Sequence, residues 1–282
     1  MNRKTLPSNP LVVVTGGSSG IGRQLAADFL RQGARVIVVS ENAARVAQTT
    51  HELTAIAERI DGIVCDVGSR DEVSRLPEAV FNRHGCPDIL VNCAGFATYR
   101  TFEESDLEEI ERLVNVNLIG AMRCTKAFLP AMIDRRTGAI VNMASIAGRV
   151  VITPNGIYSS AKHALVAWSE ALRYELDGFG IQVNVICPGR VDTAFFDHET
   201  FRTRLPRAET RFSITAQDVS RATLQAIRRD RFITYVPWAF GPLVWLSEVA
   251  PFIAKPLLGR LMISRVKSLY AARPTTRSQT TD

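Results

Sequence analysis

LVVVTGGSSGIG, residues 11–22, runs from four aliphatic residues into a turn that contains four glycines. Glycine lets a backbone turn sharply and approach a ligand without interference from a Cβ atom. The following stretch, Ile21–Gln32, has an amphipathic helical pattern, and the first N–H groups of a helix attract phosphate. A plain strand-to-helix turn would also use glycine, but a strand before it and a helix after it favour a dinucleotide site.

The same alternation of strand and helix continues along the chain. Continuous aliphatic runs, rather than alternating ones, are typical of a parallel sheet that is covered on both faces. The sequence therefore predicts an α/β fold, a Rossmann-type doubly wound parallel sheet of about seven strands with helices on both faces. The predicted strands are Leu11–Val14, Val36–Val39, Ile63–Val64, Ile89–Val91, Ile140–Asn142, Ile181–Ile186 and Phe232–Val236. The predicted helices include Ile21–Gln32, Ala43–Ala57, Asp71–Arg83, Leu107–Ile133, Ile157–Leu176 and Ala216–Arg229.

Length and composition indicate how the chain is divided into domains and in which compartment it lies. The 282 residues are 46% hydrophobic and 22% charged, as in ordinary globular proteins. We expect one catalytic domain over residues 1–236, with a substrate loop at 190–215, an apolar and basic helical extension at 237–270 and a disordered tail at 271–282. Five scattered cysteines indicate neither disulfides nor a metal site, the four histidines lie far apart, and the N-terminus lacks an apolar signal segment. These features predict a cytoplasmic protein without a bound metal.

The net charge of +6 does not indicate a nucleic-acid partner. Arginines concentrate in the last third of the chain, and they are not interleaved with aromatic residues along one face. We therefore expect no nucleic-acid binding.

Tyr158 and Lys162 stand four residues apart in a predicted helix, so they share one face. Such a pair is common by chance, but Ser145 follows the predicted strand Ile140–Asn142 and so lies at a carboxyl strand end. A free tyrosine, with a pKa of about 10, is a poor base at neutral pH, whereas a nearby ammonium lowers that pKa. The pattern predicts Tyr158 as general acid/base, Lys162 as the group that lowers its pKa, and Ser145 as hydrogen-bond donor to the reacting oxygen.

The end of the second predicted strand, Ser40-Glu41, is where a coenzyme is usually selected. A carboxylate there accepts hydrogen bonds from the adenosine ribose and repels a 2′-phosphate. Glu41 therefore favours NAD over NADP, although Arg45, one turn later, is within reach of a phosphate and Glu41 is equally suited to a solvated helix start. The predicted cofactor is NAD or NADP, with a preference for NAD.

Several further motifs accompany these residues in a fixed order. The chain resembles the short-chain dehydrogenase/reductase family in its single-domain form, from about Leu11 to Val236. The resemblance rests on TGGSSGIG at 15–22, Asp66-Val67, Asn92-Cys93-Ala94-Gly95, Asn117, Ser145, the Tyr158–Lys162 segment and Pro188-Gly189-Arg190-Val191-Asp192-Thr193.

The resemblance implies roles for the matching residues. Asn117, Ser145, Tyr158 and Lys162 would form the catalytic set, Asn117 holding a water that relays protons from Lys162. Asp66 would bind the adenine amine beside Val67. The chain departs from the usual family pattern at Ser40-Glu41, which leaves the coenzyme preference open. The predicted cofactor-binding residues are Thr15, Gly16, Ser18, Ser19, Gly20, Ile21, Gly22, Ser40, Glu41, Asp66, Val67, Asn92, Ala94, Gly95, Tyr158, Lys162, Pro188, Gly189, Val191 and Thr193.

The substrate loop and the extension point to an apolar ligand. Phe195, Phe196 and Phe201 in the loop predict an apolar wall, and residues 233–246 carry no charge. Prolines at 237, 242, 251 and 256 argue against a transmembrane helix. Three interpretations of the extension stay open: peripheral contact with a membrane surface, a cap over the substrate pocket, and a dimer surface.

These observations together predict an oxidoreductase that interconverts a secondary alcohol and a ketone or aldehyde on a hydrophobic, lipid-like or sterol-like substrate. We also expect a homo-oligomer. The alternative is a catalytically silent dinucleotide-binding sensor or scaffold of the same fold, which would not need the Ser145, Tyr158 and Lys162 set.

Overall fold

Seven parallel strands form one sheet in the computed structural model, which describes residues 7–196, 198–204 and 214–271. Their order is β3-β2-β1-β4-β5-β6-β7, so the chain reverses direction across the sheet after β3. The doubly wound sheet with helices around it is thereby confirmed. The strands are β1 (Leu11–Thr15), β2 (Arg35–Ser40), β3 (Ile60–Val64), β4 (Ile89–Asn92), β5 (Gly138–Met143), β6 (Ile181–Pro188) and β7 (Ile233–Val236).

Helices cover both faces of the sheet and continue beyond it. They are α1 (Gly20–Arg31), α2 (Ala43–Thr54), α3 (Arg70–His84), α4 (Leu107–Val114), α5 (Gly120–Arg135), α6 (Gly156–Glu175), α7 (Glu199–Arg204), α8 (Ala216–Arg229), α9 (Phe240–Val249) and α10 (Pro251–Ala271). None of these described helices has the length and apolar character needed to cross a membrane. The helical extension is thus present as α9 and α10.

The switch point of the sheet lies at β1, which pairs with β2 on one side and β4 on the other. The segments that follow β1 and β4 leave the sheet at the same edge and diverge, and this opens a crevice beyond their carboxyl ends. The glycine-rich turn follows β1 directly, so the sheet places it in this crevice.

Most predicted elements are found with ends shifted by one to three residues, and the larger differences are in a helix, a strand and the substrate loop. The predicted helix Leu107–Ile133 is interrupted by a π-helical turn at Asn115–Ile119, a local feature that an amphipathic pattern does not reveal. The strand β3 starts at Ile60, before the expected Ile63, because an edge strand that pairs only with β2 among the described strands tolerates the polar Asp61. The substrate loop contains the short helix α7, and its residues 197 and 205–213 lie outside the described ranges, as does the predicted tail from residue 272 onward.

Phe128 on α5 is one of the largest side chains buried against the sheet. It is 0% exposed and meets the ring of Phe81 edge-on at a centroid distance of 5.9 Å. Aromatic side chains in such positions contribute strongly to stability through the area they bury and through edge-to-face contact.

We expect Phe128→Ala to lower the free energy of unfolding by about 3–5 kcal/mol, because it leaves a cavity that the neighbours fill only in part. Phe102→Ala is the matched control, since Phe102 is 76% exposed and should change stability by less than about 0.5 kcal/mol. Denaturant unfolding followed by circular dichroism measures both, and equal effects would contradict the assignment of Phe128 to the core.

Candidate active site

One large cavity, of about 1430 Å³, lies at the carboxyl edge of the sheet within the described residues. Residues of the glycine-rich turn and of the β2, β3 and β4 ends form one side. Residues of α6, the substrate loop and α10 form the other side. The cavity is therefore long enough to join a dinucleotide crevice to a separate substrate region.

The glycine-rich turn lies close to the end of β4. Gly16 has a φ of +65°, in the left-handed region, and a Cβ atom there would lie 2.8 Å from the backbone nitrogen of Ala94. Only glycine suits both the conformation and the close approach. The first residues of α1, Gly20 to Gly22, also line the cavity, and the free N–H groups of a helix start suit the pyrophosphate of a dinucleotide.

Thr15 and Asn92, two of the residues predicted to bind cofactor, do not line the cavity. The Thr15 hydroxyl oxygen accepts hydrogen bonds from the backbone N–H groups of Cys93 and Ala94, at 3.1 and 3.2 Å. The Asn92 amide donates to Thr125 and to Asn142 at 3.0 and 2.8 Å. Both side chains therefore position the strand ends behind the cavity.

Ser145, Tyr158 and Lys162 converge at the middle of the cavity. Ser145 lies two residues after β5, and the short turn that follows it packs against α6, where a Cβ atom at Gly148 would lie 2.7 Å from the backbone oxygen of Lys162. The Ser145 hydroxyl accepts from the backbone N–H of Ala147 at 3.1 Å and donates to the backbone oxygen of Pro188 at 3.4 Å, and its interaction with the Tyr158 phenol acts to lower the pKa of that phenol. The Lys162 ammonium donates to the backbone oxygen of Met143 at 2.9 Å.

The electrostatics of this group differ from the sequence expectation. Burial raises the pKa of the Tyr158 phenol above its ordinary value, while the hydrogen bond with Ser145 acts in the opposite direction. Burial also lowers the pKa of Lys162 to about 8. The lowering of the tyrosine pKa expected from the Lys162 ammonium is not found, because burial of the phenol itself has the largest effect on that pKa.

Asn117 lies behind Lys162, in the π-helical turn between α4 and α5. Its amide nitrogen donates to the backbone oxygens of Phe96 and Leu113, at 2.8 and 3.0 Å. Its Oδ1 atom is buried and has no hydrogen-bond partner among the described residues. A Cβ atom at Gly95 would lie 2.6 Å from this oxygen and 3.5 Å from the Lys162 nitrogen. A buried acceptor on this side fits the water-holding role expected of Asn117.

The end of the cavity beside β2 and β3 is charged. Ser40 accepts a hydrogen bond from Ser18 at 2.8 Å, which ties the β2 end to the glycine-rich turn. Glu41 and Asp66 both form ion pairs with Arg112, on α4. Arg112 was not predicted from the sequence, because the pattern of α4 alone does not show that the Arg112 side chain reaches the ends of β2 and β3.

The opposite end of the cavity is aromatic. The rings of Tyr158, Phe195, Phe196, Phe201 and Tyr99 form a continuous chain with successive centroid distances of 5.8, 5.3, 5.1 and 5.5 Å. The three phenylalanines were expected from the sequence, and Tyr99 was not. Arg265 and Leu269, near the end of α10, also line the cavity, so this part of the extension lies against the aromatic end, as the cap interpretation predicts.

The cavity brings together most of the predicted site residues. Those that line it are Gly16, Ser18, Ser19, Gly20, Ile21, Gly22, Ser40, Glu41, Asp66, Val67, Ala94, Gly95, Ser145, Tyr158, Lys162, Pro188, Gly189, Val191 and Thr193.

Comparison with known proteins gives consistent matches. The sequence model of the short chain dehydrogenase family matches residues 10–202. The chain is 34% identical over 217 residues to the ketoacyl reductase HetN of Nostoc sp., an alignment that covers 77% of this chain and 75% of that protein.

Solved structures agree. A short chain dehydrogenase/reductase from Burkholderia phymatum in complex with NAD superimposes with a TM-score of 0.79 at 26% identity, covering 87% of this chain and 95% of that one. An actinorhodin polyketide ketoreductase with NADPH superimposes with a TM-score of 0.73 at 31% identity, covering 82% and 97%.

We expect Tyr158→Phe to lower turnover of an alcohol or ketone by at least about 100-fold, since it removes the proton-donating hydroxyl and little else. Binding of reduced nicotinamide dinucleotide, followed by its fluorescence, should persist. Tyr174→Phe, the same change at an exposed tyrosine outside the cavity, is the control and should leave both quantities unchanged. Full turnover by the Tyr158 variant would remove this residue from the mechanism.

Proposed function

Because the chain belongs to the short-chain dehydrogenase/reductase family, whose members are oxidoreductases that use NAD or NADP, we propose that it interconverts a secondary alcohol and a ketone on an apolar substrate through Ser145, Tyr158 and Lys162. The observation that carries this proposal is the convergence of these three side chains in one cavity with a glycine cradle at one end. A binding module would need the cradle but not the acid/base pair, so this arrangement favours an enzyme over the silent scaffold.

The bound nicotinamide supplies or accepts a hydride. In the direction of reduction, the Tyr158 hydroxyl donates a proton to the carbonyl oxygen, and burial keeps the phenol protonated until that step. The Ser145 hydroxyl donates a hydrogen bond to the same oxygen, so that developing negative charge meets a donor already in place. In the direction of oxidation, the phenol first passes its own proton to the relay through Lys162, and the phenolate oxygen then accepts the proton of the alcohol.

Lys162 and Asn117 restore the proton to Tyr158. With a pKa lowered to about 8, Lys162 exchanges a proton near neutral pH more readily than an exposed lysine does. The Oδ1 atom of Asn117, on the side of Lys162, accepts a hydrogen bond from a water that connects the ammonium to solvent. This relay is the role that the family resemblance implies for Asn117.

The aromatic chain from Tyr158 to Tyr99 supports an apolar substrate. It begins at the reacting group and continues away from it through Phe195 and Phe196, so an acyl or alkyl group attached to the carbonyl would lie along it. Arg190 lies over the Phe196 ring at 4.8 Å, and this contact holds the wall in place. Two relatives are described as ketoacyl reductases, and a ketone that carries an acyl chain would suit this aromatic wall.

We expect the specificity constant for a series of straight-chain ketones to rise by up to about fourfold for each added methylene, until the aromatic wall is covered. Phe196→Ala should flatten this rise. Phe102→Ala, at an exposed ring outside the cavity, should keep it. If the specificity constant rises equally in the Phe196 variant, the alkyl chain of the ketone binds elsewhere.

Exposed apolar side chains on the extension support peripheral contact with an anionic membrane. The side chains of Ile253, Leu257 and Leu261, spaced by four on one face of α10, are exposed, and so are those of Trp238 and Trp245 in the segment that precedes α10. Contiguous exposed apolar surface is uncommon in soluble proteins and marks a contact site. We define these five residues as the apolar tail surface.

Charge favours a lipid surface over a second copy of the chain. Between Glu248 and Asp282 the sequence contains no acidic residue and six basic ones, of which Lys255, Arg260, Arg265 and Lys267 lie on α10. Two copies of this helix would repel each other, whereas anionic headgroups attract each basic residue near the surface. The cap and membrane interpretations are compatible, because they use different parts of α10: Arg265 and Leu269 near its end line the cavity, whereas Ile253, Leu257 and Leu261 are exposed earlier along the helix. The homo-oligomer and the cytoplasmic localisation stay predictions.

We expect the protein to sediment with vesicles that contain phosphatidylglycerol, and less with phosphatidylcholine vesicles or at high salt. Leu257→Glu should lower the affinity for these vesicles at least about tenfold, because it places a charge in the apolar contact. Leu107→Glu is the matched control, since the two leucines are 69% and 75% exposed. If the protein does not sediment with vesicles and instead dimerises through the apolar tail surface, the membrane proposal is overturned and the dimer interpretation is supported.

A further inference from the structure

Arg112 joins two carboxylates that come from different strand ends. Its Nη2 atom lies 2.8 Å from Oε2 of Glu41, after β2, and its Nη1 atom lies 2.7 Å from Oδ2 of Asp66, after β3. All three residues line the cavity at the same end. The guanidinium therefore lies where this fold binds the adenosine ribose of the coenzyme.

The position of Arg112 is determined mainly by Asp66. The other carboxylate oxygen of Asp66 accepts a hydrogen bond from the backbone N–H of Gly68 at 2.8 Å, and this fixes the carboxylate. The Nη1 atom of Arg112 lies in the space that a side chain at residue 68 would occupy. The Asp66 side chain is also the less exposed partner, at 24% against 62% for Glu41.

Of the two ion pairs of Arg112, the one with Glu41 is therefore the one that another anion can replace. An ion pair between two such exposed side chains adds little to folding stability, so its position in the cavity needs another explanation. The guanidinium keeps its charge, since Asp66 and Glu41 raise the pKa of Arg112. Arginine is also the side chain whose geometry best matches a phosphate.

We propose that Glu41 and a coenzyme 2′-phosphate compete for the guanidinium of Arg112, and that this competition sets the preference of the chain between NAD and NADP. With Glu41 bound to it, Arg112 is engaged and the carboxylate is held ready to accept from a free 2′-hydroxyl. Removal of the Glu41 charge releases one side of the guanidinium, which then binds the phosphate. The inference rests on the dinucleotide use of the proposed function and names Arg112 as a specificity-determining residue.

Arg45 is the competing candidate, because it lines the same end of the cavity. Its backbone N–H donates to the side chain of Asn42 at the start of α2. If Arg45 bound the phosphate, removing Glu41 would still favour NADP, but the effect would not depend on Arg112. A double-mutant comparison separates the two arginines.

The experiment measures the dissociation constants of NADH and NADPH by nicotinamide fluorescence, without turnover. We expect Glu41→Gln to tighten NADPH binding by about tenfold, as one charge-assisted hydrogen bond would, and to change NADH binding much less. The gain should disappear in the double variant Glu41→Gln/Arg112→Met and persist in Glu41→Gln/Arg45→Met. Thermal unfolding of each variant verifies that it is folded, and Arg112→Gln repeats the test with a polar side chain.

Glu52→Gln is the matched control. Glu52 pairs with Arg23 at 2.6 Å in another exposed ion pair, and neither residue lines the cavity. Its variant should bind both dinucleotides as the unaltered chain does. A gain that survives in Glu41→Gln/Arg112→Met, or no gain in Glu41→Gln, would overturn the inference while leaving the proposed function intact. Failure of the unaltered chain to bind either dinucleotide would overturn both.

Discussion

The close approach of two backbones at the switch point of the sheet is the constraint on which the rest of this molecule depends. The turn after β1 lies against the segment after β4, so closely that a Cβ atom at Gly16 would lie 2.8 Å from the Ala94 nitrogen. The Thr15 hydroxyl holds this contact by accepting from the N–H groups of Cys93 and Ala94. Because the two segments meet there and then diverge, the crevice has a fixed floor, and the dinucleotide end and the reacting end of the cavity lie at fixed positions relative to each other.

The cavity is strongly asymmetric along its length. Its adenosine end carries charged groups that are partly exposed, among them Glu41 and Arg112, and its substrate end is a chain of aromatic rings. Between these ends lies Lys162, a charged residue that is only 5% exposed and whose pKa is lowered to about 8. In the proposed function, a polar cofactor and an apolar substrate would thus find matching surroundings on opposite sides of the reacting groups, and proton transfer would take place where water is largely excluded.

In the proposed function, α10 would have two roles, at the cavity and at a membrane surface. The end of α10 contributes Leu269 to the aromatic end of the cavity, and its first half carries Leu257 and Leu261 in the apolar tail surface. A salt bridge between Glu248 of α9 and Arg149, four residues after Ser145, attaches the extension to the turn that holds the serine. An apolar substrate leaving a lipid surface would therefore enter beside the helix that covers its binding region.

The sequence by itself determined the fold class, the glycine-rich turn and the group of Ser145, Tyr158 and Lys162. Aliphatic runs, glycine spacing and residues four apart on one helix are local patterns, and they depend only on near neighbours. Only the tertiary structure decided that Thr15 and Asn92 lie behind the cavity, that the phenol pKa is raised, and that Arg112 reaches Glu41 across 71 positions of sequence. Burial depends on what the whole chain packs around a group, and long-range ion pairs depend on how separate strand ends meet. Neither burial nor a long-range ion pair can be predicted from a short stretch of residues, so both became known only from the folded chain.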